Sequence, residues 1–221
     1  MLPGLLIVTG YKDINAQGIN EKVIDGDGNV YETVVIGPQT WLSTNLRTTS
    51  LNDGTTIPLI TDAKSWSLER SPAYCIYDNN ASYSESYGAL YNWYSVNTKK
   101  LCPDGFHVPS SGEWETLINF LGGEIIAGEK LREPGTAHWA IDTGTKNEAG
   151  FTAVPGGFRW SISGSFSSIQ QFGYWWTSSA DTKNDMDVKI IVLNENRGVS
   201  TGVLPKNSGY SVRCLKNPEK N

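Results

Sequence analysis

The sequence predicts an α+β domain, and three observations indicate this class. One segment near the middle of the chain has strong helical periodicity and defined ends, and a shorter helical segment follows it. From residue 151 onward the pattern is instead one of short strands separated by long loops. The composition agrees, with 23 glycines, 8 tryptophans and only 19% charged residues. Helices followed by several short strands are typical of α+β folds with small antiparallel sheets.

The clearest helix begins after Ser110. Ser110 and Glu113 have the spacing of a capping box, in which the hydroxyl and the carboxylate each satisfy a free backbone N–H. Apolar residues then recur at helical spacing and define one buried face: Trp114, Leu117, Ile118 and Leu121. Gly122-Gly123 is predicted to end this helix. A second short helix is expected over residues 124–132, and another over residues 87–96.

Residues 23–36 are predicted to form a β-hairpin. Asp25-Gly26-Asp27-Gly28 lies between two β-prone runs and supplies the positive φ angles of a tight turn. The same loop has the opening acid spacing of an EF-hand, but Val30 stands where glycine is needed and Ile36 where a bidentate glutamate is needed. The hairpin is therefore favoured over a calcium loop. Further strands are expected over residues 151–154, 157–160, 174–178, 188–193 and 210–215.

The charge balance argues against a nucleic-acid partner. The formal net charge is −5 and the sequence pI is about 5.1. Affinity for nucleic acid comes largely from lysine and arginine side chains that neutralise phosphates, and the sequence has no basic stripe.

The first 20 residues are predicted to be an extension of one domain that spans residues 21–217. Residues 1–9 are apolar but too short to cross a bilayer, and they lack a basic n-region. They are typical either of a residual export signal or of an ordinary first strand. A lipoprotein site would need cysteine where Tyr11 stands. The only membrane link that these residues suggest is an N-terminal lipid anchor.

A series of sequence blocks carries a resemblance to a known family. The blocks are Gly28–Tyr31, Gln39–Trp41, Tyr87–Tyr94, Leu101–Ser110, Gly150–Ala153, Pro155–Arg159, Gly173–Ser179 and Gly209–Cys214. In this order they resemble the Fibrobacter succinogenes major paralogous domain, over about residues 22–216. The resemblance implies a secreted or cell-surface protein of a Bacteroidetes- or Fibrobacter-type envelope.

A more distant likeness concerns the fold. Residues 107–110 with 113–115, then 155–158 and 209–212, are similar in layout to the formylglycine-generating, sulfatase-modifying-factor proteins. That group has a C-type-lectin-like fold. The resemblance therefore implies a C-type-lectin-like α+β domain with two short helices, small antiparallel sheets, long loops and chain ends that lie close together.

The compartment implied by the resemblance favours a disulfide between Cys102 and Cys214, which leaves Cys75 as a buried free thiol. Three reduced, buried cysteines are the alternative.

Few residues support an enzyme. The formylglycine-generating proteins use a closely spaced cysteine pair near the C-terminus, whereas Cys214 stands alone in that segment. Of the two histidines, His107 is expected to have a structural hydrogen-bonding role and His138 to lie in a loop. With two histidines and no clustered thiols, a zinc site is not expected. We expect no enzyme. The alternative is a formylglycine-generating-like enzyme with altered chemistry.

Ligand binding is expected in the region 175–207, where family inference places loops that bind ligands. Planar rings stack on sugars, and amides and carboxylates orient a ligand. The predicted ligand-binding residues are Trp176, Ser178, Asp181, Asn184, Asp185, Asn194, Asn196 and Arg197. Turn geometry, or burial in the core, is the simpler alternative for any one of them.

The carboxylate and amide oxygens of these residues are also of the kind that binds calcium. Since the Glu-Pro-Asn and Trp-Asn-Asp triplets of calcium-dependent lectins are missing, no cofactor is expected, with calcium kept as an alternative.

These observations predict an extracytoplasmic ligand-recognition or adhesion module for a glycan or a surface protein. A structural fimbrial or surface subunit is a further alternative. Recognition predicts exposed, convergent aromatic residues in the region 174–207. Catalysis predicts a deep pocket with perturbed acids or a thiol, and a structural role predicts an apolar patch or an open strand edge.

Overall fold

The structure is a computed structural model that describes residues 21–181, 184, 186–194 and 198–219. Its first half contains β1 Lys22–Ile24, β2 Val30–Ile36, β3 Gln39–Leu42, α1 Ala63–Leu68, β4 Tyr74–Cys75, a 3-10 turn Tyr77–Asn79, α2 Tyr83–Tyr87, β5 Leu90–Tyr91, α3 Trp93–Asn97 and β6 Phe106–His107. The second half contains α4 Ser111–Leu121, α5 Glu124–Leu131, β7 Gly156–Arg159, β8 Phe166–Ile169, β9 Phe172–Ala180, β10 Asp187–Asn194, β11 Val199–Pro205 and β12 Leu215–Lys216. The predicted α+β class is confirmed.

The N-terminal hairpin forms as predicted, with β1 antiparallel to β2. The carboxylate of Asp25 organises its turn. Oδ1 accepts the backbone N–H groups of Asp27 at 3.0 Å and Asn29 at 2.9 Å, and Oδ2 accepts the Tyr31 hydroxyl at 2.7 Å. Because these donors belong to the protein, Asp25 acts as a turn-forming residue rather than a calcium ligand.

Helix α4 also matches its prediction. Ser110 and Glu113 form the reciprocal capping box, and the predicted apolar face is buried. Gly122 ends the helix in the left-handed conformation, with φ of 110°, where a side chain would be strained. Helix α5 then covers residues 124–131.

The described strands form four sheets. The two larger ones have the strand orders β1-β2-β3-β12-β6 and β11-β10-β9, and the pairs β4-β5 and β7-β8 form the two smaller ones. Strand β12 lies between β3 and β6, so the last described strand completes the sheet that the first strands begin. Lys216 Nζ lies 2.7 Å from Glu21 Oε2. The two ends of the described chain are therefore adjacent.

Both faces of the β9–β10–β11 sheet are covered. Trp176 and Ile190 lie on one face, in a core cluster with Tyr91 and Tyr210. The neighbouring residues Trp175 and Ile191 lie on the other face, against Trp114 of α4. The sheet is thus the middle layer of the domain.

Some predicted elements are shorter or different. Residues 87–96 are not one helix, because β5 precedes α3 and the Asn92 side chain caps α3 by accepting the Ser95 N–H. Residues 151–154 contain a single bridge, from Ala153 to Arg132. Residues 210–215 form isolated bridges before β12. Strands β8 and β11 were not predicted.

The structure joins Cys102 to Cys214 in a disulfide, the pairing that the resemblance favoured. Cys75 is a buried free cysteine. Burial raises the pKa of its thiol to about 12, so it carries no thiolate at neutral pH.

Candidate functional site

The structure places Trp176, one of the predicted ligand-binding residues, inside the core. Its side chain is 0% exposed, its ring lies 4.6 Å from the ring of Tyr210, and its Nε1–H donates to the Tyr91 carbonyl at 2.6 Å. Since strand residues alternate, the neighbouring Trp175 and Trp176 point to opposite faces of the sheet. Because the sheet is covered on both faces, both indoles belong to the core.

The other described residues of the predicted site do not converge. Asp181 and Asn184 both contact Asp187 at the start of β10: the Asp181 N–H donates to the Asp187 carbonyl at 3.1 Å, and Asn184 Nδ2 donates to Asp187 Oδ2 at 2.7 Å. Asn194 lies at the opposite end of β10, roughly 23 Å away at the rise of a β-strand. Ser178 is exposed, and its backbone N–H donates to Pro109. These positions follow turn geometry rather than a shared pocket. Asp185, Asn196, Arg197 and the N-terminal extension 1–20 lie outside the described residues.

A different group of aromatic residues reaches solvent. Trp160 is 45% exposed, and Phe172 and Tyr174 are half-buried. The buried ring of Phe158 connects them, with centroids 4.7 Å from Trp160 and 5.0 Å from Tyr174. The rings of Phe172 and Tyr174 stack at 5.8 Å. We call Phe158, Trp160, Phe172 and Tyr174 the aromatic platform.

Local structure explains the platform. Phe172 and Tyr174 are two residues apart on β9 and therefore share a face of the strand. Trp160 follows β7 in a turn where its N–H donates to Ser165 at 2.8 Å. The guanidinium of Arg159 secures this turn, since its Nε donates to the Gly164 carbonyl at 2.9 Å and its Nη2 to the Thr61 carbonyl at 2.8 Å.

Trp160 and Phe172 offer partly exposed rings for stacking, whereas the Tyr174 ring is itself stacked on Phe172 and Tyr210 and offers its phenol for hydrogen bonding. Burial raises the pKa of Tyr174, so its hydroxyl stays neutral and can donate or accept. The sequence analysis missed this surface. The available signal was the alternation of aromatic residues at 158 and 160 and at 172 and 174.

His107 occupies a hydrogen-bonded position, as predicted. Its Nε2 lies 2.9 Å from Glu113 Oε1, and its Nδ1 lies 2.7 Å from Asn217 Oδ1. The Glu113 hydrogen bond raises the pKa of His107, and the His107 hydrogen bond lowers the pKa of Glu113 to about 2. Both ring nitrogens are thus engaged with protein partners. The histidine links strand β6 to the cap of α4 and to the segment after β12.

We predict a pH dependence of stability from this pair. The pKa of His107 is higher in the folded protein than its unfolded value near 6.5. The histidine therefore stabilises the fold below pH 6.5, and this stabilisation is lost as the pH rises through the folded pKa. The pKa of Glu113 is lower in the folded protein than its ordinary value of 4.5. The carboxylate therefore stabilises the fold above pH 4.5, and this stabilisation is lost as the pH falls toward about 2. The contribution should therefore be largest between these two values. It should amount to about 1 kcal/mol or less, since both side chains are one-third exposed.

Urea unfolding at pH 5.5 and pH 8.5 measures this effect. His107→Gln should lower the free energy of unfolding more at pH 5.5 than at pH 8.5. Glu113→Gln should likewise cost more at pH 5.5 than at pH 8.5, because it removes the partner of the charged histidine. An equal loss at both pH values would contradict the assignment.

His138 also pairs with an acid. Its Nδ1 lies 2.8 Å from Glu133 Oε2, and its ring meets the edge of the Tyr87 ring at 5.1 Å. Within the described part of the chain, no group of three or more His, Cys, Asp or Glu residues could hold a metal ion. None of the helices in that part is both long and apolar enough to span a membrane.

Three buried arginines were missed by the sequence analysis. Arg132, Arg159 and Arg213 are at most 1% exposed, and each guanidinium lies over an aromatic ring. The distances to the ring centroid are 3.7 Å for Arg132 over Trp139, 4.7 Å for Arg159 over Trp66 and 4.1 Å for Arg213 over Phe151. Their donors satisfy loop carbonyls, and they act as internal supports for long loops.

Fold and site together define an α+β domain with long, arginine-supported loops and a solvent-facing aromatic surface. A model of the Fibrobacter succinogenes major domain family matches residues 34–216, and the chain belongs to that family. No curated protein and no solved structure matches the chain.

Proposed function

We propose that this domain is an extracytoplasmic ligand-recognition or adhesion module with a C-type-lectin-like fold, and that it binds glycans on the aromatic platform. The platform is the observation that carries the proposal. Exposed aromatic rings beside a neutral phenol match the way proteins bind sugars, with rings against the apolar faces of the sugar and few polar groups to orient it.

The disulfide supports a location outside the cytoplasm, since such bonds persist in oxidising compartments. The long loops fixed by buried arginines support a rigid binding surface, which lowers the entropic cost of association.

We further propose that the domain is not an enzyme and needs no cofactor. Two observations favour this over a formylglycine-generating-like enzyme. Cys75 is a fully buried thiol with a raised pKa, whereas a reactive cysteine needs an accessible thiolate. Both His107 ring nitrogens are committed to protein partners.

A glycan array with purified protein tests the proposal, run with calcium and again with chelator. We expect binding in both conditions, and Trp160→Ala should weaken it about tenfold, a loss of roughly 1.4 kcal/mol of stacking. Trp160→Phe should retain part of the affinity, because it keeps a smaller ring.

Phe120→Ala is the matched control, since Phe120 is 47% exposed on helix α4, away from the platform. It should bind like the wild type. A blank array in both conditions, or equal losses in the two alanine variants, would refute the platform as a glycan site. Loss of binding in chelator alone would instead show that calcium takes part.

A further inference from the structure

Strand β11 has an open edge. It is the outer strand of the β11-β10-β9 sheet and pairs with β10 along its whole length, from Val199 opposite Leu193 to Pro205 opposite Asp187. Within the described chain, no hydrogen bond joins the backbone of residues 199–204 to a residue outside β10. The outer side of the strand thus presents free backbone donors and acceptors.

This edge lacks two of the devices that protect edge strands, although helix α5 packs beside β11. Natural sheets block such edges with charged residues, bulges or covering segments. The sequence of β11, VSTGVLP, contains no charged residue. Its pairing with β10 has no register shift, unlike the pairing of β10 with β9. Only Pro205, at its end, interrupts the row of donors. The strand is therefore a regular template for one more strand.

A groove lies next to the same edge. It is about 380 Å³ in volume and lies between helix α4 and strands β10 and β11. Ile118 and Ile191 are its buried apolar residues, and Thr201 of β11 lines it. Glu115 and Glu124 are exposed carboxylates of the lining, which also contains Lys189.

The groove indicates which side chain an added strand would carry. Residues opposite each other on neighbouring strands project to the same face. A residue that pairs with Thr201 would therefore extend its side chain toward the groove. A lysine or arginine suits this position, because its methylene stem can lie on Ile118 and Ile191 while its charge meets Glu115 and Glu124.

We propose that the β11 edge and the adjacent groove bind an extended peptide segment of a protein partner, which adds as a strand and places a basic side chain in the groove. Main-chain hydrogen bonds supply affinity and the groove supplies specificity. This extends the recognition role proposed above to a second surface and does not use the aromatic platform.

Fluorescence anisotropy with a labelled peptide, acetyl-TVTKTVT-amide, tests this inference. The peptide alternates threonine with valine or lysine, so its lysine shares a face with the valines. We expect saturable binding, and about tenfold weaker binding when glutamate replaces its lysine. Two further peptides are N-methylated at alternate residues, one at odd positions and one at even positions. One should lose binding and the other should keep it, because only one edge of the added strand bonds to β11.

Variants of the protein locate the site. Combining Glu115→Gln with Glu124→Gln should weaken binding of the lysine peptide about tenfold. Val203→Lys, at a 44% exposed position of β11, should weaken binding by placing a charge on the edge. Glu32→Gln, an exposed acid on β2, and Trp160→Ala should bind the peptide like the wild type.

Several outcomes would overturn the inference. One is the absence of binding by this peptide and by its arginine and leucine analogues. Another is an equal loss of binding by the two N-methylated peptides, which would mean that no strand is added. A dimer in sedimentation equilibrium that Val203→Lys dissociates would assign the edge to a second copy of this chain. Loss of glycan binding in Trp160→Ala with intact peptide binding separates the two proposals.

Discussion

Replacement of Arg213 with alanine is expected to lower the free energy of unfolding by about 4 kcal/mol or more. The guanidinium is wholly buried. It donates to Asn45 Oδ1 at 2.9 Å and to the carbonyls of Leu42 at 3.2 Å, Thr152 at 3.3 Å and Phe151. Each buried acceptor left without a donor costs roughly 1–3 kcal/mol, and the lost side chain leaves a cavity.

Urea unfolding of the variant measures this loss. Arg213→Lys should recover only part of it, because a single ammonium cannot reach acceptors on several sides. Arg70→Ala is the control: Arg70 is exposed, and its loss should change stability by about 0.5 kcal/mol or less. A loss below about 1 kcal/mol for Arg213→Ala would show that the loop carbonyls find other donors.

Removal of the disulfide should have an effect of similar size. Cys102 and Cys214 are 112 residues apart in sequence. The bond therefore closes a long loop in the unfolded chain, worth roughly 4–5 kcal/mol on the chain-entropy account. The Cys102→Ala, Cys214→Ala double variant should lose about this much in urea unfolding under oxidising conditions.

Two comparisons complete this experiment. The wild-type protein in reductant should behave like the double variant. Cys75→Ala should cost less, about 1 kcal/mol, because it removes a buried sulfur without opening a crosslink. If the double variant matched the wild type, the crosslink would have no role in stability.

The elements predicted correctly depend on local signals. Helix α4 has its capping box, apolar face and terminal glycines within one short stretch, and the β1–β2 hairpin has its Asp-Gly turn. Strands β8 and β11 were missed because FSSI and VSTGVLP lack a clear alternation of apolar and polar residues. Their pairing is fixed by neighbouring strands rather than by their own sequence.

The candidate site depended on packing that one sequence does not reveal. A sheet with one open face exposes alternate residues of each strand, and the sequence does not show whether the second face is covered. Helix α4 covers the second face, and this contact between distant segments buries Trp175 as well. The buried arginines were missed for the same reason: a charged residue is usually exposed unless paired, and here aromatic rings and loop carbonyls surround the charge.

The position of β12 has a consequence for folding. A strand inserted between β3 and β6 must arrive before that sheet can close, although β3 was synthesised more than a hundred residues earlier. Contacts of such long range slow folding, because the chain must lose the entropy of a large loop before it gains the interaction. A growing chain therefore remains incomplete until residue 216 has left the ribosome. The domain should fold as a late, cooperative event after synthesis rather than step by step during it.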